Sequence, residues 1–196
     1  MKWILFLVIS YFILYAVVWL HEIGHSLFDY RYGCKDNWIK VQVKPYIFFS
    51  TPGPIKLEFY EKMKPIQHVL GAYGGIMSNA LFTILTGAIL YLFSLENVYI
   101  SFALWLFMTL HIAEIVSYLF IGSIYLVSDM AIINQYMPKL RAFNLILGFA
   151  LTIFYVFILI NVPTDFKLFV IVYNCCIVFF MCVGRIIFTV KSKKRL

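Results

Sequence analysis

Residues 3–25 read WILFLVISYFILYAVVWLHEIGH, and this stretch decides the fold class of the chain. Its first part, Trp3 to Leu20, is almost wholly apolar. As a helix with a rise of about 1.5 Å per residue, it covers most of a membrane hydrocarbon core of about 30 Å. The run ends in His21-Glu22-Ile23-Gly24-His25 rather than at a small-residue cleavage site. It therefore predicts a retained membrane helix and not a signal peptide.

The HEIGH segment at residues 21–25 has the spacing of a zinc site. An H-E-x-x-H pattern on a helix puts two imidazoles one turn apart on the same face, so His21 and His25 can hold a zinc ion together. Glu22 lies beside them and can act as general base on the attacking water. The same three fixed letters recur by chance on solvated helices. At the end of an apolar span, where ionisable groups are costly, the pattern favours the zinc interpretation.

The composition of the whole chain is that of a membrane protein. Of its 196 residues, 63% are hydrophobic and 13% are charged, whereas soluble domains have about 25% charged residues. We predict an all-α polytopic membrane protein of one domain, 1–196, with about five transmembrane helices. The apolar runs that predict these helices cover residues 3–30, 66–94, 98–127, 142–160 and 168–190. Residues 1–135 would hold a catalytic core of three helices, and residues 142–190 would add two further helices.

The segment between the first two predicted spans has a different pattern. Residues 38–44 alternate apolar and polar side chains with period two, which is typical of a half-buried strand. Residues 46–49 are predicted to form a second strand, and the following Ser50-Thr51-Pro52-Gly53-Pro54 is a strong turn signal. We therefore expect a small β-hairpin-like segment between helices 1 and 2.

The basic residues orient the predicted spans. Fourteen of the 16 Lys and Arg residues fall in residues 31–64, 139–141 and 185–196, which five spans place on one side, and only Lys2 and Lys167 fall on the other. The positive-inside rule makes the first side cytoplasmic, so the N-terminus lies outside and the C-terminus inside, in the cell membrane. The net charge of +7 is thus explained by topology, and no nucleic-acid partner is expected. The four cysteines form no C-x-x-C pair, which argues against a disulfide framework.

A catalytic zinc site needs a third protein ligand besides the two histidines. Asp129 ends the third apolar run and so returns to the side of the membrane where His21 and His25 lie. A straight helix from Val98 to Asp129 would be longer than the bilayer is thick. Asp129 therefore reaches the depth of the histidines only if this helix tilts or breaks, and Gly122-Ser123 is where we expect the break.

Three other residues are candidates for the same position. Glu114 and His111 lie three residues apart on one face of the third span, and a plain helix brings Glu114 close to the depth of His21. Both would equally serve as a polar pair facing the bundle interior. His68 follows Pro65 at an interfacial helix start, where a solvated histidine is the ordinary expectation. Spacing alone leaves Glu114 open as an alternative ligand.

The order of these features resembles that of the site-2 protease family of intramembrane zinc metalloproteases. The similarity lies in HEIGH within an early membrane helix, a strand-like stretch, a glycine-rich span that contains Asn79, and the late Asp129. The family's G-P-x-x-N element would correspond to residues 74–79, without its proline. Its N-x-x-P-x-x-x-x-D-G element would correspond to residues 120–130, where the Asp is present but the Asn, the Pro and the following Gly are not. The resemblance is to a divergent, minimal core without PDZ or nucleotide-sensing domains.

This resemblance implies a hydrolase that performs intramembrane proteolysis. Zn²⁺ would be held by His21, His25 and Asp129, with Glu22 as the catalytic residue and Asn79 orienting the substrate. The enzyme would be a zinc metalloendopeptidase that cleaves peptide bonds in or near transmembrane segments of membrane-anchored substrates, and its partners would be such a protein and the lipid bilayer. Two alternatives stay open. One is a different class of membrane zinc metalloprotease with Glu114 as third ligand, and the other is a non-proteolytic integral membrane metal-binding protein or transporter.

Overall fold

The computed structural model describes residues 2–47 and 50–193, with side chains described as far as Ile187. The described chain is helical along most of its length. In chain order it forms α1 (Lys2–Arg31), α2 (Leu57–Tyr60), α3 (Pro65–Leu92), α4 (Val98–Val116), a π-helical turn (Ser117–Gly122), α5 (Ser123–Tyr125), α6 (Asp129–Tyr136), α7 (Leu140–Ile160) and α8 (Lys167–Lys193).

Five helical segments are long and apolar enough to cross a membrane. They are α1, α3, the continuous Val98–Tyr125 segment, α7 and the Lys167–Ile187 part of α8. Their outer faces expose large apolar side chains, for example Ile84 at 70%, Ile146 at 71% and Leu168 at 75%. Water-soluble proteins rarely leave so much apolar surface uncovered, whereas lipid accommodates it. The prediction of an all-α chain with five such helices is confirmed.

The Val98–Tyr125 segment is the centre of the bundle. In its most apolar window 72% of the residues are buried inside the protein, against 11% to 28% in the other four segments. An aromatic cluster closes the bundle at the N-terminal end of α1, where the Phe6 and Phe102 rings stack with centroids 4.1 Å apart and Phe166 meets Phe102 edge-on at 5.5 Å. At about 1.5 Å per residue, Phe6 lies about 22 Å along α1 from His21. The aromatic core and the polar residues thus occupy opposite ends of the bundle.

Helices α1 and α3 approach each other backbone to backbone, because glycines face each other across the contact. A Cβ atom on Gly24 would collide with the Gly74 carbonyl, and one on Gly74 would collide with the Gly24 carbonyl. The Ser78 hydroxyl adds a hydrogen bond to the Leu20 carbonyl at 2.7 Å. Small residues permit this close approach between membrane helices. The contact brings the α1 histidines against α3.

The third long segment breaks before it reaches Asp129. A π-helical turn at Ser117–Gly122 widens the helix, and regular helix ends at Tyr125. Leu126 and Ser128 then take positive φ angles of 52° and 51°, and α6 starts at Asp129. The π turn thus ends where sequence analysis expects a break, and the chain leaves the helix three residues later. The turn that follows returns Asp129 toward α1.

The predicted hairpin between the first two spanning helices is wrong. In the described part of residues 38–54 the pairing is reduced to one antiparallel bridge between Gln42 and Thr51, with N···O distances of 3.0 and 3.1 Å. Residues 48 and 49 of the predicted second strand lie outside the described residues. Pro45, Pro52 and Pro54 have no N–H to donate to a ladder, and an isolated two-stranded hairpin is marginally stable.

This segment is instead a loop that folds back along α1. The Tyr15 hydroxyl donates to the Val43 carbonyl at 3.4 Å, and the Tyr11 hydroxyl donates to the Pro45 carbonyl at 2.8 Å. Tyr11 lies about 15 Å along α1 from His21. The loop therefore re-enters the depth of the spanning helices. Irregular backbone is tolerated there only where it is buried in protein or lines a water-filled cavity.

The buried Lys35 side chain holds the base of this loop. Its ammonium group donates to the Lys40 carbonyl at 2.7 Å and to the Pro52 carbonyl. Lys35 is 5% exposed, so these carbonyls take the place of water around the charge. A lysine can therefore fix two distant points of the loop without a strand.

Candidate metal centre

Three side chains from two distant parts of the chain converge near the C-terminal end of α1. His21 Nε2 and His25 Nε2 lie 3.0 Å apart, and Asp129 Oδ2 lies 3.7 Å from the first and 3.3 Å from the second. The helical spacing of four residues explains the histidine pair. Asp129 is added by the turn that follows the π-helical break. Within the described residues, these three form a group whose ligand atoms all lie within 4.8 Å of one another.

The histidine rings are held from behind by polar groups of α3. His25 Nδ1 donates to the Gly71 carbonyl at 2.7 Å, which leaves its Nε2 lone pair free on the side of the cluster. The Asn79 amide nitrogen lies 3.0 Å from His21 Nδ1, and the amide oxygen lies 2.9 Å from His111 Nδ1. A half-turn of the amide exchanges these two atoms, so that its oxygen accepts from His21 Nδ1–H and its nitrogen donates to His111 Nδ1. In that arrangement His21 Nε2 would be left to bind a metal.

Gly75 leaves the space in which the two rings lie. A Cβ atom at this position would collide with ring atoms of both His21 and His25. Glycine costs stability within a helix relative to alanine. At Gly75 the space that a side chain would fill is occupied by the two histidine rings. The glycine-rich stretch of α3 therefore serves two purposes, because Gly74 admits the α1 backbone and Gly75 admits the rings.

Asp129 has an oxygen atom without a hydrogen-bond donor. Its Oδ2 is buried and has no hydrogen-bond partner in the described part of the chain, although it faces the Nε2 atoms of both histidines. The Asp129 carboxylate is therefore open to a cation on the side of the two histidines.

The donor set of the cluster fits Zn²⁺. Two imidazole nitrogens and one carboxylate oxygen are ligands that zinc takes in catalytic sites, where three protein ligands leave one position open. The unpartnered Asp129 oxygen faces the two Nε2 atoms, whose contact in the described structure is with each other. A cation between them would satisfy all three atoms at once.

Glu22 reaches the same cavity. A cavity of about 740 Å³ is lined by His21, Glu22, His25 and Asp129 together with residues of the re-entrant loop and α8. Glu22 is 7% exposed, and no hydrogen bond or ion pair engages its carboxylate among the described residues. It is thus next to the cluster and available to exchange a proton.

Glu114 is engaged elsewhere. Its Oε2 accepts from Arg185 Nη2 at 2.6 Å, while Arg185 Nη1 donates to Ser117 Oγ at 2.5 Å. The Arg185 guanidinium also lies over the Tyr118 ring, 3.7 Å from its centroid, and Tyr118 stacks on His21 at 4.8 Å between centroids. Glu114 lines the cavity, but it is not one of the three residues that the structure brings together as ligands.

Arg185 is the residue of this site that sequence analysis missed. Its position near the basic C-terminus led us to count it as a topology charge. The structure places it, partly buried, in the cavity wall and pairs it with a carboxylate 71 positions earlier. The sequence does contain one indication of this role. Arg185 follows Gly184 inside an apolar run, where an unpaired charge is costly and a partner is therefore expected.

The other two candidate ligands lie outside the cluster. His111 lies behind Asn79, with its Nε2 buried and unpartnered in the described structure. His68 lines the cavity, where its ring stacks on Tyr136 at 4.3 Å and meets Tyr60 edge-on at 4.6 Å. Neither is among the three converging ligand atoms.

The resemblance to the site-2 proteases stays a prediction from the motifs. No protein-family model matches the chain, and neither a curated protein nor a solved structure matches it.

Proposed function

We propose that this protein is an intramembrane zinc endopeptidase that cleaves peptide bonds in or near the transmembrane segments of membrane-anchored substrates. One observation carries the proposal. The Nε2 atoms of His21 and His25 and the free Oδ2 of Asp129 converge beside the unpaired carboxylate of Glu22, on the wall of a cavity among apolar helices. An H-E-x-x-H helix with a third ligand and a general base is the donor set of a zinc hydrolase.

His21, His25 and Asp129 would hold the zinc ion. When bound, zinc supplies Lewis-acid chemistry, which makes water a better nucleophile and polarises the scissile carbonyl. Asp129 brings a negative charge that favours the divalent cation. The two histidines contribute neutral donors whose orientation is fixed by Gly71 and Asn79.

Glu22 is the proton carrier in this proposal. It neighbours His21 on α1, lines the cavity and is free of other partners in the described structure. It accepts the proton of the attacking water and delivers it to the amine of the leaving group. A general base must be near the attacking water and unengaged, and the place of Glu22 on the wall of the same cavity supports this role.

Asn79 is assigned to positioning His21. Sequence analysis expects it to orient the substrate, whereas in the structure its amide contacts His21 Nδ1 and His111 Nδ1. Outer hydrogen-bond partners of this kind fix the tautomer and the ring orientation of metal-binding histidines. Asn79 thus acts on the reaction through His21.

The cavity gives water and an extended substrate access to the cluster. Its wall includes Tyr46, Ile47 and residues 50–52 of the re-entrant loop and Ile177, Met181 and Gly184 of α8. A helical peptide bond is shielded by its own hydrogen bonds, so the substrate must unwind before it is cut. A cavity of about 740 Å³ is large enough for a short unwound segment.

We place the cluster toward the cytoplasmic face of the cell membrane. Of the fourteen basic residues assigned to that side, Arg185 and Lys44 lie at the depth of the spanning helices, and the other twelve still outnumber Lys2 and Lys167. The positive-inside rule then orients the N-terminus outward and the C-terminus inward.

The pairing of Glu114 with Arg185 favours Asp129 as third ligand. Recruiting Glu114 to a metal would break a buried ion pair and leave Arg185 without its counter-charge, which is costly. Within the described residues the Asp129 carboxylate is paired only with His21 and His25, the other two ligands of the proposed set. This observation favours the three-ligand set proposed here over a metalloprotease that uses Glu114.

The test measures zinc content and cleavage in the same purified samples. A reporter containing one transmembrane helix is incubated with wild type and with the Glu22→Gln, Asp129→Ala and Glu114→Gln variants. We expect Glu22→Gln to keep about one zinc ion per chain and to lose at least about 100-fold in rate. Asp129→Ala should lose both zinc and activity, and Asp36→Asn, which alters an exposed carboxylate of the loop, is the matched control.

Two outcomes would contradict the proposal. If the wild-type protein carries no zinc after purification in chelator-free buffer, the proposal that it is a zinc endopeptidase is wrong. Zinc and activity retained by Asp129→Ala but lost by Glu114→Gln would show that the ligand assignment is wrong.

A further inference from the structure

The cavity is acidic although the protein is basic. Four of the nine Asp and Glu residues of the chain line it, Glu22, Asp29, Glu114 and Asp129, whereas Arg185 is the one basic residue of the described wall. Arg185 is neutralised by Glu114. Glu22, Asp29 and Asp129 then remain as the acidic residues of the wall that have no basic counterpart among the described lining residues. A cavity of this sign concentrates cationic ligands.

Asp29 is the carboxylate that the proposed reaction does not use. It is 5% exposed, and within the described structure no hydrogen bond or ion pair engages its side chain. The nearby Lys35 directs its ammonium group to the Lys40 and Pro52 carbonyls. A carboxylate that lines a cavity and that no described protein group engages is open to a ligand that enters the cavity.

We propose that Asp29 is a specificity-determining residue that binds the Lys or Arg side chain of the substrate. This inference rests on the proposed function, because it names the substrate class of the same site. A primary ammonium or guanidinium group is the chemical partner that a buried carboxylate binds most strongly. Glu22 must stay free for proton transfer, and Asp129 is a ligand. Asp29 is therefore the carboxylate left to receive that cation.

The position of Asp29 sets where the basic residue lies in the substrate. Asp29 follows His25 by one helical turn, about 6 Å along α1. An extended chain advances about 3.3 Å per residue. A substrate running along α1 from the cluster would therefore bring a side chain about two residues from the cleaved bond to Asp29.

The substrate class agrees with the proposed orientation of the site. Transmembrane helices carry Lys and Arg mainly on their cytoplasmic flank, and the cluster is placed toward that face. An unwound segment entering there would present a basic residue close to the end of its apolar run. Asp29 would thus select membrane helices that are cut near their cytoplasmic end.

The experiment compares substrates that differ at one residue. Cleavage sites of a reporter helix are first mapped by mass spectrometry, and Lys, Gln or Glu is then placed at each of the four positions on either side. For wild type we expect kcat/KM to be about tenfold higher with Lys than with Gln at one position about two residues away. In Asp29→Asn the Lys-to-Gln ratio should fall to about one, and in Asp29→Lys the Glu reporter should become the best of the three.

Matched variants show whether a lost Lys preference reflects lost binding of the substrate's basic side chain or a disturbed fold. Asp29→Glu keeps the charge and should keep a preference for Lys, while Asp36→Asn changes an exposed carboxylate that pairs with Lys56 and should leave the wild-type ratio. Zinc content is measured for every variant. If Asp29→Asn does not fold, the comparison of wild type with Asp29→Glu and Asp29→Lys carries the test.

The outcomes distinguish this inference from the proposed function. Wild type that cleaves the Lys, Gln and Glu reporters at equal rates overturns the role of Asp29 and leaves the peptidase intact. A Lys preference that survives in Asp29→Asn does the same. Zinc-loaded wild type that cuts none of the reporters overturns the peptidase proposal, and with it the role of Asp29.

Discussion

The Arg185 guanidinium lies 3.7 Å from the centroid of the Tyr118 ring. Tyr118 in turn stacks on His21, with the two rings within 8° of parallel. The last long helix is thereby linked to a residue of the proposed metal centre through one aromatic ring. Arg185 and Glu114 also form the buried ion pair of the cavity wall. The bundle around the site therefore depends on a charge pair that joins α8 to the central helix.

We expect Arg185→Gln to destabilise the protein by about 3 kcal/mol, because it leaves the Glu114 carboxylate buried without its counter-charge. The double variant Arg185→Gln/Glu114→Gln should recover more than half of that loss. Thermal unfolding in detergent of the wild type, the two single variants and the double variant measures the coupling. The matched control is Arg31→Gln, at the exposed end of α1. Additive effects of the two single changes would show that the pair is not coupled.

The second prediction concerns the outer contact of His21. Asn79→Ala removes the amide that contacts His21 Nδ1, so we expect zinc affinity to fall by about 10- to 100-fold while the helices stay folded. Competition with a chelator of known affinity measures this change, and circular dichroism checks the helix content. Thr83→Ala, one turn further along α3, is the control because the Thr83 hydroxyl bonds only to the Asn79 carbonyl. Equal zinc affinity in wild type and Asn79→Ala would remove Asn79 from the site.

The H-E-x-x-H part of the site could be predicted from sequence because it is local. Helical periodicity alone puts His21 and His25 on one face, and an apolar run identifies the helix. Asp129 required more, since its position depends on a π turn and on two residues with positive φ that no composition signal encodes. Arg185 could not be placed, because pairing across 71 positions is decided by packing of the bundle.

The hairpin prediction was wrong because a local sequence pattern does not show what the segment packs against. Burial alternates in residues 41–44, where Val41 and Val43 are partly buried while Gln42 and Lys44 are exposed, but residues 38–40 are all exposed. Period-two burial arises here because one side of an extended loop packs against the bundle, with Val43 against its hydrophobic core. A strand would also need a neighbouring strand with free backbone N–H and C=O groups. The prolines that follow have no N–H to donate, so the next segment cannot form a regular ladder with it.

The third prediction uses the missing side chain of Gly75. Gly75→Ala puts a methyl group where the His21 and His25 rings lie, so one or both rings must turn away. We expect zinc content to fall below about one tenth of the wild-type value, although alanine favours the helix. Gly71→Ala on the same helix is the matched control, because a Cβ atom there meets nothing within 4 Å. Zinc bound equally by both variants would mean that the rings are not held as described.

The last prediction concerns the backbone just before Asp129. Ser128 has a φ of 51° and a ψ of −132°, a conformation that glycine adopts readily and other residues do not. Strain of this kind is found at functional sites, where the surrounding structure enforces it. We expect Ser128→Gly to raise the free energy of unfolding by about 1 kcal/mol through relief of that strain. Ser128→Ala keeps the strain and should leave stability unchanged, since the Ser128 side chain is exposed and makes no hydrogen bond in the described structure.

Unfolding of the two variants is compared with wild type in the same detergent. A lower zinc affinity in Ser128→Gly would show that the rigid turn holds Asp129 in place. A free energy of unfolding that does not rise in Ser128→Gly would show that the backbone at this position stores no strain.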